Sequence, residues 1–257
     1  MTPPETAQPT PKTRLFTDGP LGPGLEIRAD EADAHHVVRV LRLGPGDSLS
    51  VFNGRDGEWA ATITDAGKKS LTLRLDRQTR PQTPEPDIWL LFAPLKKTAT
   101  DFIVEKATEL GVARLIPVLT ERTETRRVNL DRLAQTARDA ACQCERLGLP
   151  AIEQPRPLAD VLAAWPEDRT LVAALERARD VPPLSSVARE TPLPHAFLIG
   201  PEGGFSPAEL DGPLKQAFVR GAHLGPRILR AETAALAALS LWQDAAGDIN
   251  TPKKDHT

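Results

Sequence analysis

The chain has 257 residues, of which 40% are hydrophobic and 26% are charged, and its formal net charge is −3. This length suits one large domain or a small domain joined to a medium one, and the composition is that of a globular protein. A net charge this close to zero excludes nucleic-acid binding by the whole surface, so an RNA or DNA partner would need a local basic face. Cys142 and Cys144 are separated by one residue, too close for an ordinary disulfide, which indicates a reducing cytoplasm.

The first part of the chain predicts a short lead followed by a small β-rich domain. Residues 1–13 are rich in Pro and Thr and lack an apolar core, so we expect a disordered lead rather than a signal peptide. Over residues 14–80 the stretch DEADAHHVVRVLRL predicts a helix, and SLSVFNG and EWAATITD predict strands on either side of the turn-rich residues 53–57. The following stretch, SLTLRLD, alternates apolar and polar residues, as a strand with one buried face does.

The second part predicts an α/β domain. A Pro-rich linker over 81–86 precedes residues 87–247, in which strand-like and helix-like stretches alternate, and residues 248–257 predict a loose tail. The predicted strands are IWLLFAP, ARLIPVL, TLVAALE, HAFLIG and GAHLG. The predicted helices are TATDFIVEKATELG ending on Gly111, NLDRLAQTARDAACQCERLG closed by Gly148, SPAELDGPLKQAF and AETAALAALSLWQDAA. This order predicts a mostly parallel sheet covered on both faces.

The stretch LIGPEGGFSPAEL, Leu198–Leu210, joins a predicted strand to a predicted helix. Ser206 can cap that helix, Pro207 suits its first position, and Glu209 can return a hydrogen bond to the cap residue. A tight turn would by itself explain the glycines. The loop has neither a G-x-G-x-x-G nor a Walker A pattern, and Glu202 would repel an anion, so the carboxylate favours a hydroxyl-bearing or positively charged ligand.

A second loop, in HLGPRILRAETAALAAL, runs from a short predicted strand into a long helix. Arg227 and Arg230 lie three residues apart, and Glu232 and Thr233 follow at the helix start. A solvated arginine pair beside a packing helix would explain this stretch taken alone. Because ligands of parallel sheets bind beyond the carboxyl ends of the strands, the two loops together predict a shared site.

Other polar and aromatic residues predict structural positions. His35 and His36 have no Cys or His cluster with ligand spacing beside them, so we predict a helix surface and no metal site. Cys142 and Cys144 lack a partner base, which favours small apolar helix residues over a nucleophile. The four tryptophans are expected in the core or at an interface. The arginines of Thr120–Asn129 fit a solvated loop and an RNA-facing loop equally, and no apolar segment is long enough to span a membrane.

Together, FLIGPEGGFSPAEL and LGPRILRAETAALAAL resemble the C-terminal signature of the RsmE family. These ribosomal RNA small subunit methyltransferases methylate uridine at N3 and belong to the SPOUT class of knotted methyltransferases. TRLF resembles the family's Arg-aromatic start, HHVVRVLRLGPGDSLSVFNG its small PUA-like module, and KATELGVARLIPVLTER and ACQCERLGLP further segments. The resemblance covers about Arg14 to Ala246, with one departure: Cys142 stands where relatives tend to carry an acidic residue.

The resemblance implies an α/β fold in which a trefoil-knotted SPOUT domain over 87–247 follows a PUA-like β-barrel over 14–80. It also implies S-adenosylmethionine as cofactor, a cytoplasmic homodimer, and 16S ribosomal RNA, within the small ribosomal subunit, as substrate. Three segments would hold the cofactor through backbone groups that glycines leave accessible. The residues implied to bind it are Leu175, Ile199, Gly200, Pro201, Glu202, Gly203, Gly204, Leu224, Gly225, Ile228 and Leu229.

The implied reaction asks for positioning and a cationic hydrogen-bond donor, because loss of the N3 proton spreads negative charge over O2 and O4 of uracil. The resemblance implies catalytic roles for Arg230, Glu202 and Arg14, with Arg230 as the donor, and RNA contacts from Arg14, Arg122 and Arg146. Two other functions stay open: a non-catalytic RNA-binding or ribosome-assembly protein, and a related knotted methyltransferase that acts on transfer RNA.

Overall fold

The computed structural model of the protein describes residues 13–67, 69–178, 180–191 and 193–251. Residues 1–12 of the predicted lead and 252–257 of the predicted tail lie outside these ranges. The chain divides into two compact units. Unit 1 takes in the described residues up to Pro84 together with Ala141–Gly148, and unit 2 takes in Glu85–Ala140 and the described residues from Leu149 onward.

Unit 1 is built on a five-stranded sheet whose strand order is β1-β3-β4-β5-β2. β1 runs parallel to β3, and the other neighbours pair antiparallel. A π-helical turn, His36–Val40, continues α1, so His35 and His36 lie on an exposed helical surface as predicted. The elements of unit 1 are β1 (Arg14–Phe16), β2 (Glu26–Ala29), α1 (Glu31–His35), β3 (Ser48–Phe52), β4 (Glu58–Ala66) and β5 (Leu71–Arg80).

The predicted strand pattern of unit 1 is confirmed in its central hairpin. Asn53 Oδ1 accepts hydrogen bonds from the backbone N–H groups of Arg55 and Asp56, which closes the turn between the antiparallel strands β3 and β4. In β5, Leu71, Leu73 and Leu75 are buried in the core of unit 1, because alternate side chains of a strand share one face.

Unit 2 contains a parallel sheet with the strand order β12-β10-β11-β6-β7-β8, and β9 also pairs with β7. The strands are β6 (Trp89–Phe92), β7 (Arg114–Leu119), β8 (Ala151–Ile152), β9 (Arg156–Pro157), β10 (Thr170–Ala174), β11 (His195–Ile199) and β12 (Val219–Ala222). The helices are α2 (Lys97–Glu109), α3 (Leu130–Gln143, of which the residues from Ala141 onward are counted with unit 1), α4 (Leu158–Ala163), α5 (Leu184–Glu190), α6 (Pro207–Asp211) and α7 (Ala231–Ala246).

Both faces of this sheet are covered, as predicted. Leu90 and Phe92 of β6 pack in a core cluster to which α2, α3, α5 and α7 contribute. Leu91 points to the opposite face and packs in a second cluster with α4, Phe205 and Leu214. Because successive side chains of a strand alternate between faces, one apolar strand supplies both cores, and unit 2 is a three-layer α/β structure.

Three predicted elements end or begin elsewhere than expected. α3 ends at Gln143 rather than at Gly148, and Glu145 already has a positive φ of 60°, which leaves the helical region. α6 ends at Asp211 instead of continuing, because Gly212 has a φ of −113° and ψ of −102° and the following proline disfavours a helical residue before it. β12 is Val219–Ala222, so only the first half of the predicted strand GAHLG belongs to it.

Candidate active site

Three neighbouring strands of unit 2 end at one edge of the sheet, and a cleft opens there. β12, β10 and β11 are parallel and adjacent, so the chain leaves all three in the same direction. The cleft has about 620 Å³ of empty space, part of it continuous with solvent. Its lining residues are Ala174, Leu175, Glu176 and Arg177 at the end of β10 and just after it; Ile199, Gly200, Pro201 and Glu202 at the end of β11 and just after it; Leu224, Gly225, Arg227, Ile228 and Leu229 after β12; and Ala231 and Ala234 in α7.

Most of the residues implied to bind the cofactor lie in this lining. Gly203 and Gly204 do not line the cleft. They form the turn that directly follows the lining residue Glu202. The lining also includes six residues beyond those implied to bind the cofactor: Ala174, Glu176, Arg177, Arg227, Ala231 and Ala234. The polar pair Glu176 and Arg177 begins two residues past the end of the buried strand β10, and that position is the signal that would have identified it.

The loop Gly200–Gly204, here the GPEGG loop, is a closed turn. The Gly204 N–H donates a hydrogen bond to the Pro201 carbonyl across 2.8 Å, and Gly204 has a φ of +67° that favours glycine. A Cβ at Gly204 would also collide with the Glu176 carboxylate. The loop therefore brings main chain against the Glu176 side chain, and a side chain at position 204 would displace that carboxylate as well as strain the backbone.

The helix after this loop begins with the predicted capping box. The Ser206 hydroxyl accepts a hydrogen bond from the Glu209 N–H, and the Glu209 carboxylate Oε2 accepts one from the Ser206 N–H across 2.9 Å. Pro207 occupies the first helical position. The α6 start is fixed locally by these residues, which confirms the sequence reading of the loop end.

The segment after β7 contacts the same loop. The Glu121 N–H donates to Glu209 Oε1 across 2.9 Å, and Arg122 Nη1 donates to the Gly203 carbonyl across 2.7 Å. Arg122, which the resemblance implied as an RNA contact, thus bonds to the backbone of the GPEGG loop.

The cleft combines apolar surface with charges of both signs. Leu175, Ile199, Leu224 and Leu229 contribute aliphatic walls, and Ile228 is 68% exposed, an apolar side chain that a ligand would cover. The acidic residues of the lining are Glu176 and Glu202, and the basic residues are Arg177 and Arg227. Such a surface suits a ligand with an apolar planar part and a cationic or hydroxyl-bearing part.

Arg230, the implied donor, lies next to the cleft rather than in its lining. It is the exposed N-cap residue of α7, with a φ of −65° and ψ of 154°, and its carbonyl accepts from the Ala234 N–H. Arg227, three residues earlier, lines the cleft. Both arginines therefore stand at this edge of the sheet.

Arg14 lies in a different setting from the one implied. Its side chain, 5% exposed, forms an ion pair with Glu58 across 2.6 Å and lies over the Phe52 ring. Nη1 donates to the Ala141 and Cys142 carbonyls, and Nη2 donates to the Arg146 carbonyl across 2.9 Å. Its guanidinium is engaged with acceptors of unit 1, and Arg146 enters this network through its backbone.

Within 13–67, 69–178, 180–191 and 193–251, the side chains of His, Cys, Asp and Glu form no group of three that could hold a metal ion. No helix in these ranges has both the length and the apolar character needed to cross a membrane.

Comparisons with known proteins identify the family of this chain. A family profile described as an RNA methyltransferase domain matches residues 82–243, and one described as an RNA methyltransferase PUA domain matches residues 29–76. Ribosomal RNA small subunit methyltransferase E of Rickettsia conorii is 32% identical over 231 residues, covering 88% of this chain and 93% of that protein. The Bacillus subtilis protein of the same name is 27% identical, covering 85% and 89%.

Solved structures also match over nearly the whole chain. Ribosomal RNA small subunit methyltransferase E from Neisseria gonorrhoeae, bound to S-adenosyl methionine, superposes with a TM-score of 0.83 at 26% identity, covering 93% of this chain and 99% of that one. A methyltransferase from Legionella pneumophila in complex with the same cofactor gives 0.79 at 29% identity, covering 91% and 97%. This chain, an α/β RNA methyltransferase fold with a PUA domain, belongs to the family of ribosomal RNA small subunit methyltransferase E.

Proposed function

We propose that this protein is an S-adenosylmethionine-dependent methyltransferase that methylates N3 of a uridine in 16S ribosomal RNA. The observation that carries the proposal is the cleft at the carboxyl ends of β12, β10 and β11, lined by the GPEGG loop and by the loop before α7. The named relatives and the two cofactor-bound structures support the substrate and the cofactor.

The lining fits this cofactor in its chemistry. The aliphatic side chains of Leu175, Ile199 and Leu229 suit the faces of a purine ring, and Glu176 and Glu202 suit the ribose hydroxyls and the cationic groups. Gly225 has a φ of +102°, and a Cβ built there would meet no atom within 4 Å, so its main chain borders open space. We therefore assign cofactor binding to the lining residues, with Gly203 and Gly204 shaping the turn.

When bound, the cofactor supplies an activated methyl group. The chain must then orient the uracil ring and stabilise the negative charge that N3 deprotonation leaves on O2 and O4. An arginine is suited to this because it stays protonated and presents planar donors. We retain Arg230 as the proposed donor, with Arg227 as the neighbour that contacts the cleft itself.

We also propose that the arginines at the mouth of the cleft bind the phosphate groups of the RNA. Arg177, with a side chain 80% exposed, joins the exposed Arg227 and Arg230 in presenting positive charge at the edge where the strands end. Arg146 stays a predicted RNA contact. We assign Arg14 a structural role in unit 1 in place of the implied catalytic and RNA-contacting role, since its guanidinium is engaged with Glu58 and backbone carbonyls.

The proposal extends to the finer architecture. We propose a PUA-like barrel over 14–80, a trefoil-knotted SPOUT domain over 87–247 and a cytoplasmic homodimer. The strand order supports the knot in one respect: β12 lies on the far side of β10 from β11, so the chain crosses β10 before it enters α7. Leu241 of α7 is 37% exposed, an apolar residue that a partner subunit would cover.

The test uses the full chain, S-adenosylmethionine carrying a labelled methyl group, and small subunits from cells that lack this enzyme. We expect label in 16S ribosomal RNA as N3-methyluridine, identified by nuclease digestion and mass spectrometry. Transfer to purified transfer RNA instead would favour the related tRNA enzyme. Tight RNA binding with no transfer to either RNA would favour the assembly protein. Sedimentation of the same sample tests the dimer, which a monomer at micromolar concentration would contradict.

A further inference from the structure

We propose that Arg122 is a positioning residue that holds the GPEGG loop in its cofactor-binding conformation before the cofactor arrives. This inference rests on the proposed function and gives Arg122 a role different from the RNA contact that the resemblance implied. Two contacts join Glu121–Thr123, which follows β7, to the stretch Gly203–Glu209, which follows β11.

The first contact holds the turn of the loop directly. Arg122 Nη1 donates to the Gly203 carbonyl across 2.7 Å, the short distance of a charge-assisted hydrogen bond. The aliphatic part of the side chain packs on the same residue, because a Cβ built on Gly203 would lie 3.3 Å from Arg122 Cδ. Gly203 immediately follows Glu202, which lines the cleft, so fixing its carbonyl fixes the end of the lining.

The second contact joins the same two segments through Glu209. Its Oε2 atom accepts from the Ser206 N–H within the capping box, and its Oε1 atom accepts from the Glu121 N–H across 2.9 Å. One carboxylate thus ties the start of α6 to the residue beside Arg122. The GPEGG loop is therefore anchored on both the Gly203 side and the α6 side.

The segment that carries Arg122 is itself a rigid support. Thr120 and Thr123 are buried, at 3% and 4% exposure. The Thr120 N–H donates to Thr123 Oγ1 across 2.9 Å, and the Thr123 N–H donates to the Thr120 carbonyl. In the sheet β6 lies between β7 and β11, so this turn reaches past one strand end to support the loop.

A loop with glycines at 200, 203 and 204 samples many conformations unless other groups restrain it. Ordering such a loop on binding lowers affinity, and ordering it beforehand raises affinity without any new contact to the ligand. Arg122 acts in this way, by restricting the unbound loop, and we do not place it in contact with the cofactor.

The experiment measures S-adenosylmethionine affinity by calorimetry in the absence of RNA, for the full chain and for Arg122→Ala, Arg122→Lys and Arg126→Ala. Arg126 is an exposed arginine four residues after Arg122, so the Arg126→Ala variant removes the same charge from the same part of the chain. The bond is exposed to solvent, which weakens it, so its loss predicts roughly 3- to 10-fold weaker binding for Arg122→Ala. Arg122→Lys should recover part of this loss, and Arg126→Ala should bind like the parent protein.

Hydrogen exchange of residues 200–205 without cofactor provides a second readout. Arg122→Ala should speed exchange there, and at saturating cofactor its methyl-transfer rate should return close to that of the parent protein. Unchanged affinity and unchanged exchange in a folded Arg122→Ala variant would overturn the inference while leaving the proposed function intact. A parent protein that binds no S-adenosylmethionine would instead overturn the proposed function.

Discussion

Trp242 donates a hydrogen bond from its indole Nε1 to Nδ1 of His195 across 3.0 Å, joining α7 to the start of β11. Both residues are buried, at 2% and 0% exposure. Because Nδ1 accepts this proton, the neutral ring carries its hydrogen on Nε2, which lies 2.8 Å from Thr191 Oγ1. The Thr191 hydroxyl in turn donates to the Val187 carbonyl, so every polar atom of the ring has a partner only when His195 is neutral.

Acidification should weaken the fold through His195. Burial lowers the pKa of His195 below its ordinary value of 6.5, and the nearby Arg169 acts in the same direction. Below about pH 6.5 the unfolded chain therefore binds a proton that the folded chain does not, so the free energy of unfolding falls as the pH drops towards the folded pKa. Urea titrations at pH 7.5 and 5.5 should show this fall, and His195→Gln should show a smaller one. An equal pH dependence in both proteins would contradict the assignment.

Arg14→Ala should destabilise the fold strongly. The Glu58 side chain is 3% exposed, so removing Arg14 leaves a buried carboxylate without its closest partner. Such a loss typically costs about 3–5 kcal/mol, and we expect the lower end because Arg80 Nη1, 3.9 Å away, and the Thr79 hydroxyl still contact Glu58. The matched control is Arg74→Ala, whose ion pair with Asp76 is largely exposed and is worth under about 1 kcal/mol. Denaturant unfolding of both variants measures the difference. Equal free energies of unfolding for Arg14→Ala and Arg74→Ala would contradict the structural role assigned to Arg14.

Gly204→Ala should weaken cofactor binding. A residue with a side chain at a φ of +67° costs about 1–2 kcal/mol, and the new Cβ would push against the Glu176 carboxylate that borders the cleft. The loop would therefore leave its bound geometry, for an expected loss of roughly 5- to 30-fold in affinity. Gly44→Ala serves as the control, because Gly44 has an ordinary φ and open space around it. Calorimetry on the folded variants measures their affinity for S-adenosylmethionine. An affinity equal to that of the parent protein in Gly204→Ala would contradict a role for the GPEGG loop in cofactor binding.

Arg230→Ala should slow methyl transfer more than it weakens binding. Loss of one preorganised donor to a developing negative charge typically costs on the order of 100- to 1000-fold in rate. Arg227→Ala, which removes a residue of the lining, should instead raise the dissociation constants for cofactor or RNA. Single-turnover rates at saturating RNA and cofactor separate the effects. A slow methyl transfer in Arg227→Ala together with a near-normal rate in Arg230→Ala would assign the donor role to Arg227. Near-normal rates in both variants would show that neither arginine is the donor.

The fold was predictable where a local pattern was long or chemically specific. α7 spans Ala231–Ala246, the same residues as its predicted helix, and Ser206 and Glu209 form the predicted capping box. By contrast, α4 and α5 have 6 and 7 residues, too few for a helical apolar repeat to stand out, and each follows a proline. Neither helix was predicted.

The loops of the candidate site were predictable from the sequence, and the long-range side-chain contacts of the predicted site arginines were not. Gly-containing loops after apolar strands indicated the cleft because parallel strands share one carboxyl edge. The pairing of Arg14 with Glu58 joins residues 44 positions apart, and that of Arg122 with Gly203 joins residues 81 positions apart. No local pattern encodes such contacts, so both arginines were assigned to RNA from resemblance.

The lining of the cleft has a consequence for how the protein is made. Every described lining residue lies between Ala174 and Ala234, whereas the strands of unit 1 precede Pro84. Synthesis proceeds from the N-terminus, and domains generally fold as units while the chain grows. Under the proposed function, a nascent chain that ends before α7 lacks part of the cleft wall. A ligand stabilises only the state that binds it, so S-adenosylmethionine favours the native fold only after translation has passed the first turns of α7.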